Sequence, residues 1–105
     1  MNTESGDKPH VKLESSCTLR EVADLQFTLL SADPSANPLL LDGAAVERID
    51  TCGLQLLAAF VKSREAAGRR VRWVGISHEL QRCSDRLGLN GLLKFDGAIA
   101  TGERS

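Results

Sequence analysis

The chain has 105 residues, of which 42 % are apolar and 26 % charged, and its 13 basic and 14 acidic residues give a net charge of -1. This length accommodates one domain with a modest core, and the composition is too apolar for a disordered chain. The charge balance gives no global reason to bind nucleic acid or an anionic membrane, and no apolar run reaches the roughly 18 residues of a membrane span.

The polar start of the chain, residues 1–9, predicts a flexible arm without the apolar core of a signal peptide. A cytoplasmic protein is therefore expected. Cys17, Cys52 and Cys83 are too widely spaced for the close ligand pairs of a structural zinc site, and three reduced thiols fit the cytosol. We expect neither a bound metal nor a cofactor.

The first third of the chain predicts a strand followed by a helix. Residues 10–14 alternate weakly between apolar and polar side chains, which favours a strand. Thr18 and Glu21 have the spacing of a capping box, which predicts a helix over residues 19–30. Its predicted apolar face contains Val22, Leu25 and Leu29, widened by Leu19, Ala23 and Leu30.

The middle of the chain predicts a buried strand, a long helix and a second strand. After a proline-containing loop, the continuous apolar run at 39–41 is typical of a central strand covered on both faces. Helical periodicity then extends from 51 to 67, with Leu54, Leu57, Ala58 and Val61 on one face, and Gly68 is placed to end that helix. Residues 71–74 predict the next strand, in which Trp73 is expected to be part of the core.

The last predicted helix begins after Ser77, carries Leu80, Cys83 and Leu87 at helical spacing, and ends at Gly88. A short apolar segment, 89–95, follows, and residues 96–105 are expected to form a tail. Strands and helices thus alternate, which predicts one α/β domain over residues 10–95 with an at least partly parallel sheet.

The stretch most informative about function is 46–54, VERIDTCGL, at the start of the long helix. Asp50 lies where a carboxylate can accept free backbone amides, and Thr51 is placed as the N-cap or a first-turn residue. Gly53 allows another part of the backbone to approach closely. A well-capped helix accounts for these residues without any function.

Three segments together resemble the STAS domain, the fold of bacterial anti-sigma-factor antagonists. Residues 39–57 are similar to the family's strand, connector and D-S/T-x-G-L helix start, 67–75 to its turn and following strand, and 87–93 to its C-terminal pattern. The resemblance extends from about Val11 to Phe95. It implies a mixed sheet of about four strands with helices packed on it.

The resemblance also implies a function. In the family, the Ser or Thr after the Asp is often phosphorylated by a partner kinase, and this position is Thr51 here. The implied partners are an anti-sigma factor or histidine-kinase-like serine/threonine kinase, with a PP2C-type phosphatase to reverse the modification. The implied partner-binding surface is the helix start and the residues after it: Asp50, Thr51, Cys52, Gly53, Leu54 and Leu56.

Other functions stay open at this point. Some STAS domains with Thr at this position are subunits of the ABC transporter that maintains outer-membrane lipid asymmetry, where the helix docks on the ATPase subunit. Others accompany chemotaxis-type kinases, and Cys52 at a helix start allows a redox-sensing role. No phosphate-binding loop, nucleophile elbow or catalytic triad pattern is present, so we expect a protein without catalytic activity.

Overall fold

The computed structural model describes residues 11–95 as an α/β fold, the class predicted from the sequence. The predicted arm and tail lie outside the described residues. The elements, in chain order, are β1 (Val11–Lys12), β2 (Ser16–Cys17), a 3₁₀ turn (Leu19–Glu21), α1 (Val22–Leu30), β3 (Leu39–Gly43), β4 (Arg48–Ile49), α2 (Thr51–Ala66), β5 (Val71–Ile76), α3 (His78–Leu87) and α4 (Asn90–Leu93).

The strands form two separate parallel groups. Strands β1, β3 and β5 make one sheet in the order β1-β3-β5, with Leu41 aligned to Val11 on one side and to Trp73 on the other. Strands β2 and β4 pair on their own. Residues 11–95 thus contain five strands, compared with the about four that the resemblance implies. The two-residue strands β2 and β4 were not predicted from the sequence, because so short a strand leaves no hydrophobic alternation.

The core lies between the three-stranded sheet and α2. Leu54, Leu57 and Val61 recur on one face of α2 and are fully buried. They pack in one cluster with β3 and with Trp73 of β5, which confirms both the predicted helix face and the predicted core position of Trp73. The sequence periodicity identified this helix well because most of one side of α2 is covered.

Helix α1 is buried over a narrower face than predicted. Leu25 and Leu29 are buried, but Leu19 is 62 % exposed and Leu30 is 74 % exposed. The expectation that Leu19, Ala23 and Leu30 widen the buried face is therefore wrong. The reason is geometric: α1 packs chiefly against one neighbouring helix, α2, so residues displaced around its axis have nothing to cover them.

An arginine near the end of α2 is buried. Arg64 is only 8 % exposed. Its guanidinium donates to the carbonyl oxygens of Asp33, at 3.2 Å, and Ala36. The loop between α1 and β3 thus folds over the helix, and its carbonyl groups compensate the buried charge.

Candidate functional site

Asp50 fixes the start of α2 to the preceding part of the chain. It is the N-cap of α2, and one carboxylate oxygen accepts from the Gly53 amide at 3.1 Å. The other accepts from the Leu19 amide at 2.9 Å. These bonds, from Leu19 first and Gly53 second, lower the pKa of the Asp50 carboxyl. The carboxylate is therefore ionised at neutral pH and joins α2 to the 3₁₀ turn.

Gly53 lets α2 lie directly against β2. An added Cβ at this position would be 2.0 Å from the carbonyl oxygen of Cys17, far inside van der Waals contact. The predicted close backbone approach is confirmed, and it fixes the position of the first turn of α2 relative to β2. Thr51 and Cys52, the first two residues of α2, are thereby placed by backbone contacts on both sides.

The residues predicted to bind a partner differ in their exposure. Thr51 is exposed in the first turn, one of the two placements that the sequence allowed. Asp50, Cys52 and Leu56 are half-buried. Gly53 and Leu54 are buried, so their contribution to any docking would be to position the helix rather than to contact a partner.

Thr51 lines a groove of about 260 Å³ between the start of α2 and α3. The groove has an apolar part and a charged part, and its lining comprises Ile49, Asp50, Thr51, Leu54, Glu79, Cys83, Arg86 and Leu87. The contribution of α3 was not predicted from the sequence. The available signal was the spacing of 79, 83, 86 and 87, which places these residues on one face of a helix.

Of the charged side chains of α3 around this groove, some form ion pairs and one does not. Glu79 pairs with Arg82 at 3.1 Å, and this interaction is the main cause of its lowered pKa. Arg86, one turn further along, forms no ion pair within 4 Å among residues 11–95. The groove therefore contains two carboxylates, one of them neutralised by Arg82, and one unpaired guanidinium.

The thiols of Cys83 and Cys17 are held in their neutral form. Burial raises the pKa of Cys83, whose Sγ donates to the Ile49 carbonyl at 3.7 Å. Burial, with the nearby Glu21 and Glu14, raises the pKa of Cys17 to about 11. Neither is poised as a thiolate at neutral pH. No group of His, Cys, Asp or Glu within residues 11–95 could hold a metal ion.

A larger groove, of about 470 Å³, lies beside β1, β2 and α1. Its charged lining is mostly acidic and comprises Glu14, Glu21 and Asp24, together with Lys12. The Glu21 carboxylate is occupied by the capping box, where it accepts from the Thr18 amide and hydroxyl at 3.0 and 2.7 Å. This groove includes none of the residues predicted to be functional.

Comparison with known proteins gives one result that bears on this site. A family model described as "Mlab, STAS domain" matches residues 1–94 of the 105 residues. No curated protein matches the sequence. Within the part of the chain that the structure describes, no helix is both long and apolar enough to cross a membrane.

Proposed function

Because the chain belongs to the STAS domain family, which makes it a STAS-type regulatory or binding protein, we propose that it works by partner switching of the anti-sigma-factor-antagonist type. In this proposal the protein has no catalytic activity of its own. The start of α2 docks on an anti-sigma factor or kinase-like protein, and phosphorylation of Thr51 releases it.

The observation that carries this proposal is the exposed Thr51 at a rigidly held helix start. Asp50 and Gly53 fix the backbone on either side of it by hydrogen bonds and close contact. A partner can therefore meet the Thr51 hydroxyl in a preformed position, which reduces the ordering cost of binding. The groove beside it gives the partner a recess with both apolar and charged walls.

Phosphorylation would change this surface strongly. The Thr51 Oγ attacks the γ-phosphorus of ATP, a new O–P bond forms, the bond to ADP breaks, and the hydroxyl proton is released. The product carries a charge of about -1.5 to -2 beside the Asp50 carboxylate. A partner shaped for a neutral hydroxyl would have to desolvate that charge. A loss of about 3 kcal/mol in binding free energy would weaken binding more than a hundredfold.

The test is capture of partners from native lysate with the wild type and with Thr51→Glu as bait, followed by intact-mass analysis of the bait. We expect a kinase-like ATPase bound to the wild type and lost from Thr51→Glu, with a phosphate mass shift on Thr51. The control is Thr28→Glu, the same change at an exposed threonine on α1. Equal capture by the wild type and Thr51→Glu would contradict the proposal.

A second function is favoured by the description of the matching family model, "Mlab, STAS domain". It is the STAS subunit of an Mla-type ABC transporter, in which the same helix start would be a permanent contact with the ATPase subunit. Capture of an ABC ATPase together with its permease, and no phosphate on the bait, would favour this function over the switch.

A further inference from the structure

The two arginines on α3 nearest the groove are in different electrostatic states. Arg82 is engaged by the Glu79 carboxylate through both Nε and Nη2, at 3.1 to 3.3 Å. Arg86 lies one turn later, lines the same groove as Thr51, and makes no ion pair among the described residues. An exposed guanidinium with no carboxylate within ion-pair distance among the described residues thus lines the same groove as Thr51.

The start of α2 has few free backbone amides that could bind a phosphate on Thr51. Helix amides normally bind a phosphate at such a position. Here the Gly53 amide is already bonded to Asp50, and the Cys52 amide also faces that carboxylate. The second carboxylate at the groove, Glu79, makes its direct ion pair with Arg82, and Arg86 acts on it only from a longer distance. Among the residues that line the groove, Arg86 on α3 is the one positively charged side chain.

We propose that Arg86 receives the phosphate of phosphorylated Thr51 within the same chain. Guanidinium and phosphate form charge-assisted, bidentate hydrogen bonds, and both side chains line the one groove between the start of α2 and α3. This inference rests on the proposed phosphorylation of Thr51 and deepens it. It adds a named phosphate-binding residue that lies outside the segment from Asp50 to Leu56.

The pairing would give the modification two effects on docking. The phosphate and the Arg86 side chain together would fill the groove between α2 and α3, so a partner could no longer enter it. The pair would also leave the phosphorylated form with its charge partly neutralised inside the chain. Phosphorylation would then act by occupying the recess as well as by repelling the partner.

The test uses the full chain with phosphothreonine installed at position 51 during synthesis, so no kinase or partner is needed. The readout is the second pKa of the phosphate, about 6 for a free phosphothreonine, followed by the ³¹P chemical shift against pH. Because a nearby cation favours the dianion, Arg86→Gln should raise this pKa by about 0.5, the size expected for an exposed charge pair. Arg86→Lys should restore part of the difference.

The control is Arg72→Gln, which removes the same charge from an exposed arginine on β5 that does not line the groove. A larger rise in Arg86→Gln than in Arg72→Gln supports the assignment. An unchanged pKa in Arg86→Gln, or equal changes in both variants, overturns it. The result is independent of partner capture: loss of the proposed function would appear as an unphosphorylated bait in the lysate experiment, and loss of this inference only in the ³¹P titration.

Discussion

At the scale of single residues, Gly53 shows how one absent side chain determines the position of a functional surface. Its Cα lies so near the carbonyl group of Cys17 that a Cβ would be only 2.0 Å from that oxygen. The obstacle is backbone in β2, which cannot rotate away as a flexible side chain would. The position of Thr51, two residues earlier, therefore depends on glycine at 53.

Gly53→Ala should destabilise the protein by about 1–3 kcal/mol or more, because either α2 or β2 must shift to relieve the overlap. Gly91→Ala is the matched control, since an added Cβ there meets nothing within 4 Å in helix α4. That change should be neutral or stabilising by up to about 1 kcal/mol. Urea unfolding of both variants measures the difference, and equal stability would show that the overlap is relieved without cost.

At the scale of elements, Asp50 is the connection between the 3₁₀ turn and α2. Its two oxygens accept from Leu19 and Gly53, residues that belong to different elements. A carboxylate can satisfy both amides, whereas an asparagine has only one acceptor oxygen and would turn its amide donors toward a backbone N–H. Removal of the side chain leaves both amides without this partner.

Asp50→Ala should cost about 0.5–2 kcal/mol at pH 7, and Asp50→Asn less. The folded-state pKa of Asp50 is lowered below its unfolded value of about 3.9, so its contribution is present above that value and lost as pH falls through the folded pKa. The stability gap between the wild type and Asp50→Ala should therefore narrow below about pH 4. Urea titrations at pH 7 and at about pH 3 measure it, and a gap independent of pH would contradict the role of the charge.

The elements also show what the sequence could and could not predict. The capping box at Thr18 and the buried face of α2 were predicted correctly, because both depend on spacing within one segment. The burial of Leu30 on α1 was predicted wrongly, because how many elements pack around a helix depends on the tertiary structure and not on the sequence of that helix. The same limit explains why the contribution of α3 to the groove was not predicted: Arg86 and Thr51 line one groove only because α3 packs beside the start of α2.

At the scale of the whole molecule, the C-terminal segment, residues 89–95, packs against Trp73 of β5 and covers that part of the core. The indole N–H of Trp73 donates to the Leu93 carbonyl at 2.7 Å, and the ring meets Phe95 edge-on at 5.0 Å between centroids. Leu93 itself is fully buried in the same core as Leu57 of α2. The final apolar segment therefore belongs to the same packed unit as the central strand and the long helix.

Leu93→Ala and Leu92→Ala test this closure at adjacent positions of one short helix. Leu93 is 0 % and Leu92 52 % exposed. Leu93→Ala should cost about 2–5 kcal/mol through lost burial and the cavity left behind, and Leu92→Ala no more than about 0.5 kcal/mol. For a domain of this size, the loss expected for Leu93→Ala corresponds to a fall in Tm of at least about 8 °C, and thermal unfolding of both variants measures it.

Trp73 is the only tryptophan in the chain, so its fluorescence reports on this closure directly. If the C-terminal segment unfolds together with the sheet and α2, fluorescence and far-UV circular dichroism should give coincident denaturation curves in the wild type. Leu93→Ala should move both curves together to lower denaturant. A fluorescence transition that precedes the loss of helix signal would instead show that α4 detaches first, as a separate unit of lower stability.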